Sequence, residues 1–156
     1  MNKIHAMTTT TNLDKFNGYS AVLEMDIETY QWNEQFLNQF VKPQTELKSV
    51  SIPNIQKFVD DEIVDLTVDE LNEVCYEASE ITLIEHQSEF HEGFSKTFRN
   101  ENGLTVRQIF DIVEDFEMKA RPLSNWFDGV DAHHVFFEGF NKIDGKENTY
   151  SISWGS

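Results

Sequence analysis

The chain has 156 residues, of which 39% are hydrophobic and thirteen are Phe, and its formal net charge is −16. That length is one domain, the apolar content excludes intrinsic disorder, and the charge opposes nonspecific binding to nucleic acid or anionic lipid. Cys75 is the only cysteine, so no internal disulfide can form, which fits a reducing compartment.

Residues 1–17 read as a flexible N-terminal lead, and 18–156 as a single α+β domain. Met1 to Asn12 is polar and Thr-rich, without the apolar core of a signal peptide. No stretch reaches the roughly 18 apolar residues of a membrane span. The expectation is a cytoplasmic protein. Gly18 to Met25 suggests a short strand. Ile27 to Val41 suggests a helix, because Ile27, Tyr30, Phe36, Leu37, Phe40 and Val41 recur near the helical period and Pro43 stops them. Ser49 to Ile52 alternates like a strand.

Two helix starts repeat Leu-Thr-Val, at Leu66-Thr67-Val68 and Leu104-Thr105-Val106. Each Thr is followed three residues later by Glu70 or Gln108, the pattern of a capping box. The first helix should run to about Ala78 and bury Leu71, Val74, Cys75 and Ala78. The second should run to about Ala120 and bury Ile109, Ile112 or Val113, and Phe116, with Pro122 ending it. Ile81 to Glu85 and Phe90 to Phe98 read as strands. Ala132 to Phe140 and Thr149 to Trp154 read as a hairpin about 132–154, with Asp144-Gly145 in its turn. Gly93 and Gly139 inside such runs suggest bulges. The segments Phe90 to Lys96 and Phe136 to Lys142 echo each other at an offset of 46 residues, which reads as convergence of two strand-to-turn segments. The fold class expected is α+β: a mostly antiparallel four-stranded sheet packed with two or three helices. Phe136, Tyr150, Ile152, Trp154 and Phe116 should supply the main contacts between sheet and helix.

Charge is unevenly spread. Between Lys57 and Lys96 run 38 residues with twelve acids and no Lys or Arg. A one-signed field of this kind steers oppositely charged molecules. Asp69, Glu73, Glu77 and Glu80 would form one stripe on the first expected helix. Three readings of the stripe stand side by side: a solvated face, a docking face for a basic protein surface, and a mimic of nucleic-acid phosphate. Trp126 and Phe127, beside Gly129 and His133-His134, are a further candidate patch for a partner.

Catalytic signals are sparse. His133, His134 and Glu138 are the candidate metal ligands, with His86, His91, Glu89, Glu92 and Asp131 nearby in sequence. Adjacent strand residues face opposite sides, which argues against His133 and His134 sharing an ion. No His-Glu-x-x-His, Gly-x-Ser-x-Gly or glycine-rich phosphate loop occurs. Cys75, set among acids on a buried face, should not become a thiolate nucleophile. The sequence points to a non-enzymatic interaction module that docks a basic partner through residues 58–95, with no cofactor, no membrane contact and no direct nucleic-acid contact. A nucleic-acid-mimicking inhibitor and a small metal-dependent enzyme using His133 and His134 are the alternatives.

Overall fold

The computed structural model describes residues 13–30, 44–85, 94–123, 130 and 132–156. Among them the chain is a mixed α+β structure dominated by strands. A 3-10 turn at Asp14–Gly18 leads into β1 (Tyr19–Ala21), β2 (Glu24–Tyr30), β3 (Gln44–Ser51), β4 (Ile55–Val59) and β5 (Glu62–Asp65). Then come helix α1 (Val68–Leu71), β6 (Val74–Tyr76), β7 (Glu80–Glu85), β8 (Phe94–Arg99), β9 (Leu104–Thr105), helix α2 (Val106–Ala120), β10 (Phe136–Lys142) and β11 (Thr149–Gly155).

The strands form small sheets, mostly antiparallel: β1-β4-β5, β10-β11-β7-β8, β2-β3 and β6-β9. Among the described residues, only β11 and β7 run parallel. The expected architecture of one four-stranded sheet with two or three helices is thus corrected. The four-stranded sheet with the C-terminal hairpin exists, but three further sheets accompany it and α2 is the one long helix among the described residues.

Two expected helices depart from expectation where the structure describes them. In Ile27 to Val41, residues 27–30 belong to β2, and 31–41 lie outside the described residues. Met25 and Ile27 alternate with exposed Glu24, Asp26 and Glu28, a period of two that outweighs the helical spacing. The helix from Thr67 stops at Leu71. Its start is as expected, with Thr67 and Glu70 forming a complete capping box. Continuing it would stack Asp69, Glu73 and Glu77 at four-residue spacing, each pair repulsive. The chain instead turns at Asn72-Glu73 and pairs Val74 with Thr105 and Tyr76 with Leu104. Cys75 and Tyr76 are buried, Leu71 and Ala78 are partly buried, and Val74 faces solvent. The second capping box, Thr105 with Gln108, opens α2 as the sequence requires.

Helix α2 buries Val106, Ile109, Phe110, Val113 and Phe116. Phe110 packs on Phe137 at 5.1 Å and on Phe16 at 5.4 Å, and Phe16 packs on Phe140 at 5.4 Å. These edge-to-face and tilted rings join the N-terminal turn, α2 and β10. Leu13 and Phe16 are core residues, so residues 13–17 belong to the body of the domain and the flexible-lead reading fails for them.

Tyr150 and Phe116 are buried as expected, with Ile152 and Trp154 partly buried against the core. Phe136 is 49% exposed and is removed from that core set. Phe136 and Phe137 are strand neighbours pointing to opposite faces, and Phe137 takes the inner one. The pairing of β10 with β11 then shifts register between Phe137 and Phe140, the bulge expected at Gly139. Gly139 has φ 107°, and a Cβ there would lie 1.9 Å from Asn17 Oδ1, so glycine lets the N-terminal turn approach the hairpin. The echoing segments Phe94 to Lys96 and Phe140 to Lys142 lie in β8 and β10, at opposite edges of one sheet.

Two stability predictions follow from this packing. Phe116→Ala, at a residue 1% exposed, should cost about 3–5 kcal/mol. Gly139→Ala should cost about 1–3 kcal/mol through the disallowed backbone conformation, with extra loss if Asn17 is displaced. Denaturant melts of both variants check this, and wild-type midpoints would show that the core is placed wrongly.

Candidate functional site

The acidic stripe expected on one helix is dispersed. Asp69 lies in α1, Glu73 in the turn before β6, Glu77 just after β6, and Glu80 at the start of β7. Bases from outside the acidic window reach into it. Lys15 pairs with Glu73 at 3.4 Å, Arg99 pairs with Glu80 at 3.2 Å, and Lys57 pairs with Glu70. Glu73 and Glu80 of the stripe therefore sit opposite a cation. Sequence spacing could not show this, because Lys15 is 58 residues from Glu73. Trp126 and Phe127 lie outside the described residues.

Three acids of the window, Asp60, Asp61 and Glu62, lie together at the β4–β5 hairpin. Val59 pairs with Glu62 across the two-residue loop Asp60-Asp61. Asp60 and Asp61 have φ of 51° and 69°, both left-handed, as a type I′ turn requires. Asp tolerates that region better than most residues, though two adjacent carboxylates repel. Among the described residues Asp60, Asp61, Glu62 and Asp69 form no ion pair. Asp65 accepts a hydrogen bond from Gln56 Nε2 at 3.0 Å.

The same hairpin exposes apolar side chains. Phe58 and Ile63 are direct cross-strand partners, so they share one face, and they are 59% and 52% exposed. Val59 is exposed on the opposite face, and Val68 is 71% exposed on α1. The ion pair from Lys57 to Glu70 ties α1 to β4. The sequence held a signal for this patch in Phe58-Val59 and Ile63-Val64 flanking Asp60-Asp61-Glu62.

A second constellation surrounds a cavity of about 210 Å³ at the C-terminal end of α2. Glu117, Ala120 and Arg121 line it from the helix end, Ile152 and Trp154 from β11, Glu85 from the end of β7, and His134 from the segment before β10. Arg121 Nε donates to Glu117 Oε1 at 2.6 Å, with both side chains almost fully buried. The Arg121 guanidinium stacks over the Trp154 ring at 5.1 Å. Sequence reasoning missed Glu117 and Arg121 altogether. Their four-residue spacing resembles any surface helix pair, and only burial sets them apart.

Among the described residues no group of three or more His, Cys, Asp or Glu is placed to hold a metal ion. His133 and Glu138 are exposed while His134 lines the cavity, and His86 and His91 lie outside the described residues. Cys75 is buried, its Sγ donates to the Leu104 carbonyl at 3.6 Å, and burial pushes its thiol pKa up to about 11. Burial and the raised pKa both oppose a thiolate at neutral pH. No helix among the described residues is long and apolar enough to cross a membrane.

Glu70 provides a pH test of the tie between α1 and β4. Its carboxyl pKa is lowered, first by the hydrogen bond from Lys57 and then by the Thr67 backbone N–H. A depressed acid stabilises the fold above its unfolded pKa, and that contribution is lost as pH falls through the folded value. The Glu70 side-chain resonance should titrate below the ordinary glutamate range, and Lys57→Met should move the midpoint back up. An unmoved midpoint would remove Lys57 as the cause.

A comparison with protein-family models, curated proteins and solved structures finds no match for this chain.

Proposed function

We infer that the protein is a non-enzymatic interaction module that docks a basic partner through the β4–β5 hairpin. The observation that carries this reading is the pairing of exposed Phe58 and Ile63 beside the unpaired acids Asp60, Asp61 and Glu62. Apolar side chains this exposed leave water on docking, which is worth about 1.5–3 kcal/mol for each residue fully buried. The surrounding carboxylates choose the partner. They attract Lys and Arg, speed encounter and reject acidic surfaces. They also oppose pairing of β5, an outer strand of its sheet, with β5 of a second copy.

This reading moves the docking surface within the 58–95 window. Asp69 remains a candidate at its rim. Glu73 and Glu80 are weaker candidates because Lys15 and Arg99 already face them. Nucleic-acid mimicry draws on the same charge, but a phosphate mimic has no need of Phe58 and Ile63. The metal-dependent alternative through His133 and His134 has no ligand group among the described residues to support it.

Two double variants separate the two contributions to docking. Asp60→Asn with Asp61→Gly removes both charges and installs a preferred type I′ pair, so the hairpin should persist. Phe58→Ser with Ile63→Ser removes the apolar face. With a partner captured from native lysate, the first variant should slow association and flatten its salt dependence. The second should accelerate dissociation by about tenfold or more. Unchanged kinetics for both variants would contradict docking at this hairpin, and competition by DNA for the same partner would favour mimicry.

A further inference from the structure

We propose that the hairpin takes its partner as an added strand: an extended segment of pattern basic-apolar-apolar-basic pairs antiparallel along the outer edge of β5. This rests on the docking reading above and specifies the form of the partner.

The register of β4 with β5 fixes which backbone groups point outward. The Leu66 N–H donates to the Ile55 carbonyl at 3.0 Å. Bonded and unbonded pairs alternate along an antiparallel ladder. Lys57–Val64 and Val59–Glu62 are then bonded pairs, and Gln56–Asp65 and Phe58–Ile63 are unbonded ones. The N–H and C=O of Ile63 and of Asp65 therefore point away from β4. Among the described residues β5 pairs with no other strand. Glu62 and Ile63 face opposite sides of the sheet and are both exposed, so a segment can approach this edge from solvent. Outward backbone groups on an outer strand are a template for a further strand.

The side chains of β5 set the partner's sequence. The strand reads Glu62-Ile63-Val64-Asp65, an apolar pair between two acids. Cross-strand neighbours of opposite charge attract, and apolar neighbours pack. The complement is therefore basic opposite Glu62 and Asp65, and apolar opposite Ile63 and Val64. Phe58, the cross-strand partner of Ile63, widens the apolar contact on that face. A second copy of β5 laid antiparallel would set acid against acid at both ends, so charge favours a basic segment over self-pairing. The other outer edges suit it less. β1 and β10 are joined by a bridge between Val22 and Phe136, and β8 carries two bases and no acid.

The test titrates the peptide acetyl-Thr-Lys-Val-Val-Lys-Thr-amide into the ¹⁵N-labelled full chain and follows the backbone amide signals of the hairpin. In the antiparallel pairing the N–H of the second valine points at Ile63, and that of the first valine points to solvent. The Ile63 and Asp65 amide signals should move downfield and saturably. N-methylation of the second valine should weaken binding about tenfold or more, and N-methylation of the first by less than about twofold. Equal binding by the two N-methylated peptides, which carry the same charge, would overturn strand pairing and leave side-chain docking at the hairpin standing. Hairpin signals unmoved at millimolar peptide would also overturn strand pairing. Docking itself is decided separately, by the partner kinetics of the two double variants above. Shifts of Ile63 and Asp65 that grow with protein concentration in the absence of peptide would make the occupant a second copy and overturn the proposal.

Discussion

The insertion of Phe16 into the core is the contact on which the rest of the molecule depends. Its ring is fully buried and meets Phe110 of α2 and Phe140 of β10, each at 5.4 Å. Gly139 makes the approach feasible, because any Cβ there would collide with Asn17. β1 begins directly after this anchored turn, and β4 and β5 pair onto β1 in succession. A hairpin with an exposed tip is thereby held through hydrogen-bonded strands to a residue in the aromatic centre. Such support presents Phe58, Ile63 and the Asp60-Asp61 turn on paired strands, and under the proposed docking it would lower the ordering cost.

Charge is arranged by the same fold. The acidic window contains no base of its own, yet Lys15, Lys57 and Arg99 fold back to face Glu73, Glu70 and Glu80. These exposed pairs contribute little to stability individually. They set cations against Glu70, Glu73 and Glu80, while Asp60, Asp61 and Glu62 form no ion pair among the described residues. A partner steered by charge would then meet the apolar pair Phe58 and Ile63 beside those acids.

Much of the local structure was legible in the residues. Both capping boxes, the extent of α2, the C-terminal hairpin with its bulge at Gly139, and burial of Phe116 and Tyr150 follow from short-range chemistry. The failures share a different cause. The helix expected beyond Leu71 yields to a strand pairing with β9, whose residues lie about thirty positions away. The first four residues of the helix expected from Ile27, residues 27–30, yield to a pairing with β3. Phe16 looks like part of a polar terminus until the hairpin more than 100 residues later is brought to it. The stripe from Asp69 to Glu80 fell with the helix that was to carry it, and the buried pair Glu117–Arg121 could not be told from a surface pair. Long-range strand pairing and burial are tertiary facts that a local period does not encode.

The most direct measurement of the central claim is amide hydrogen exchange of the partner complex against the free protein. The account predicts new protection concentrated in residues 57–65, with little change across 73–80. Protection centred on 73–80, with the hairpin unaffected, would contradict it.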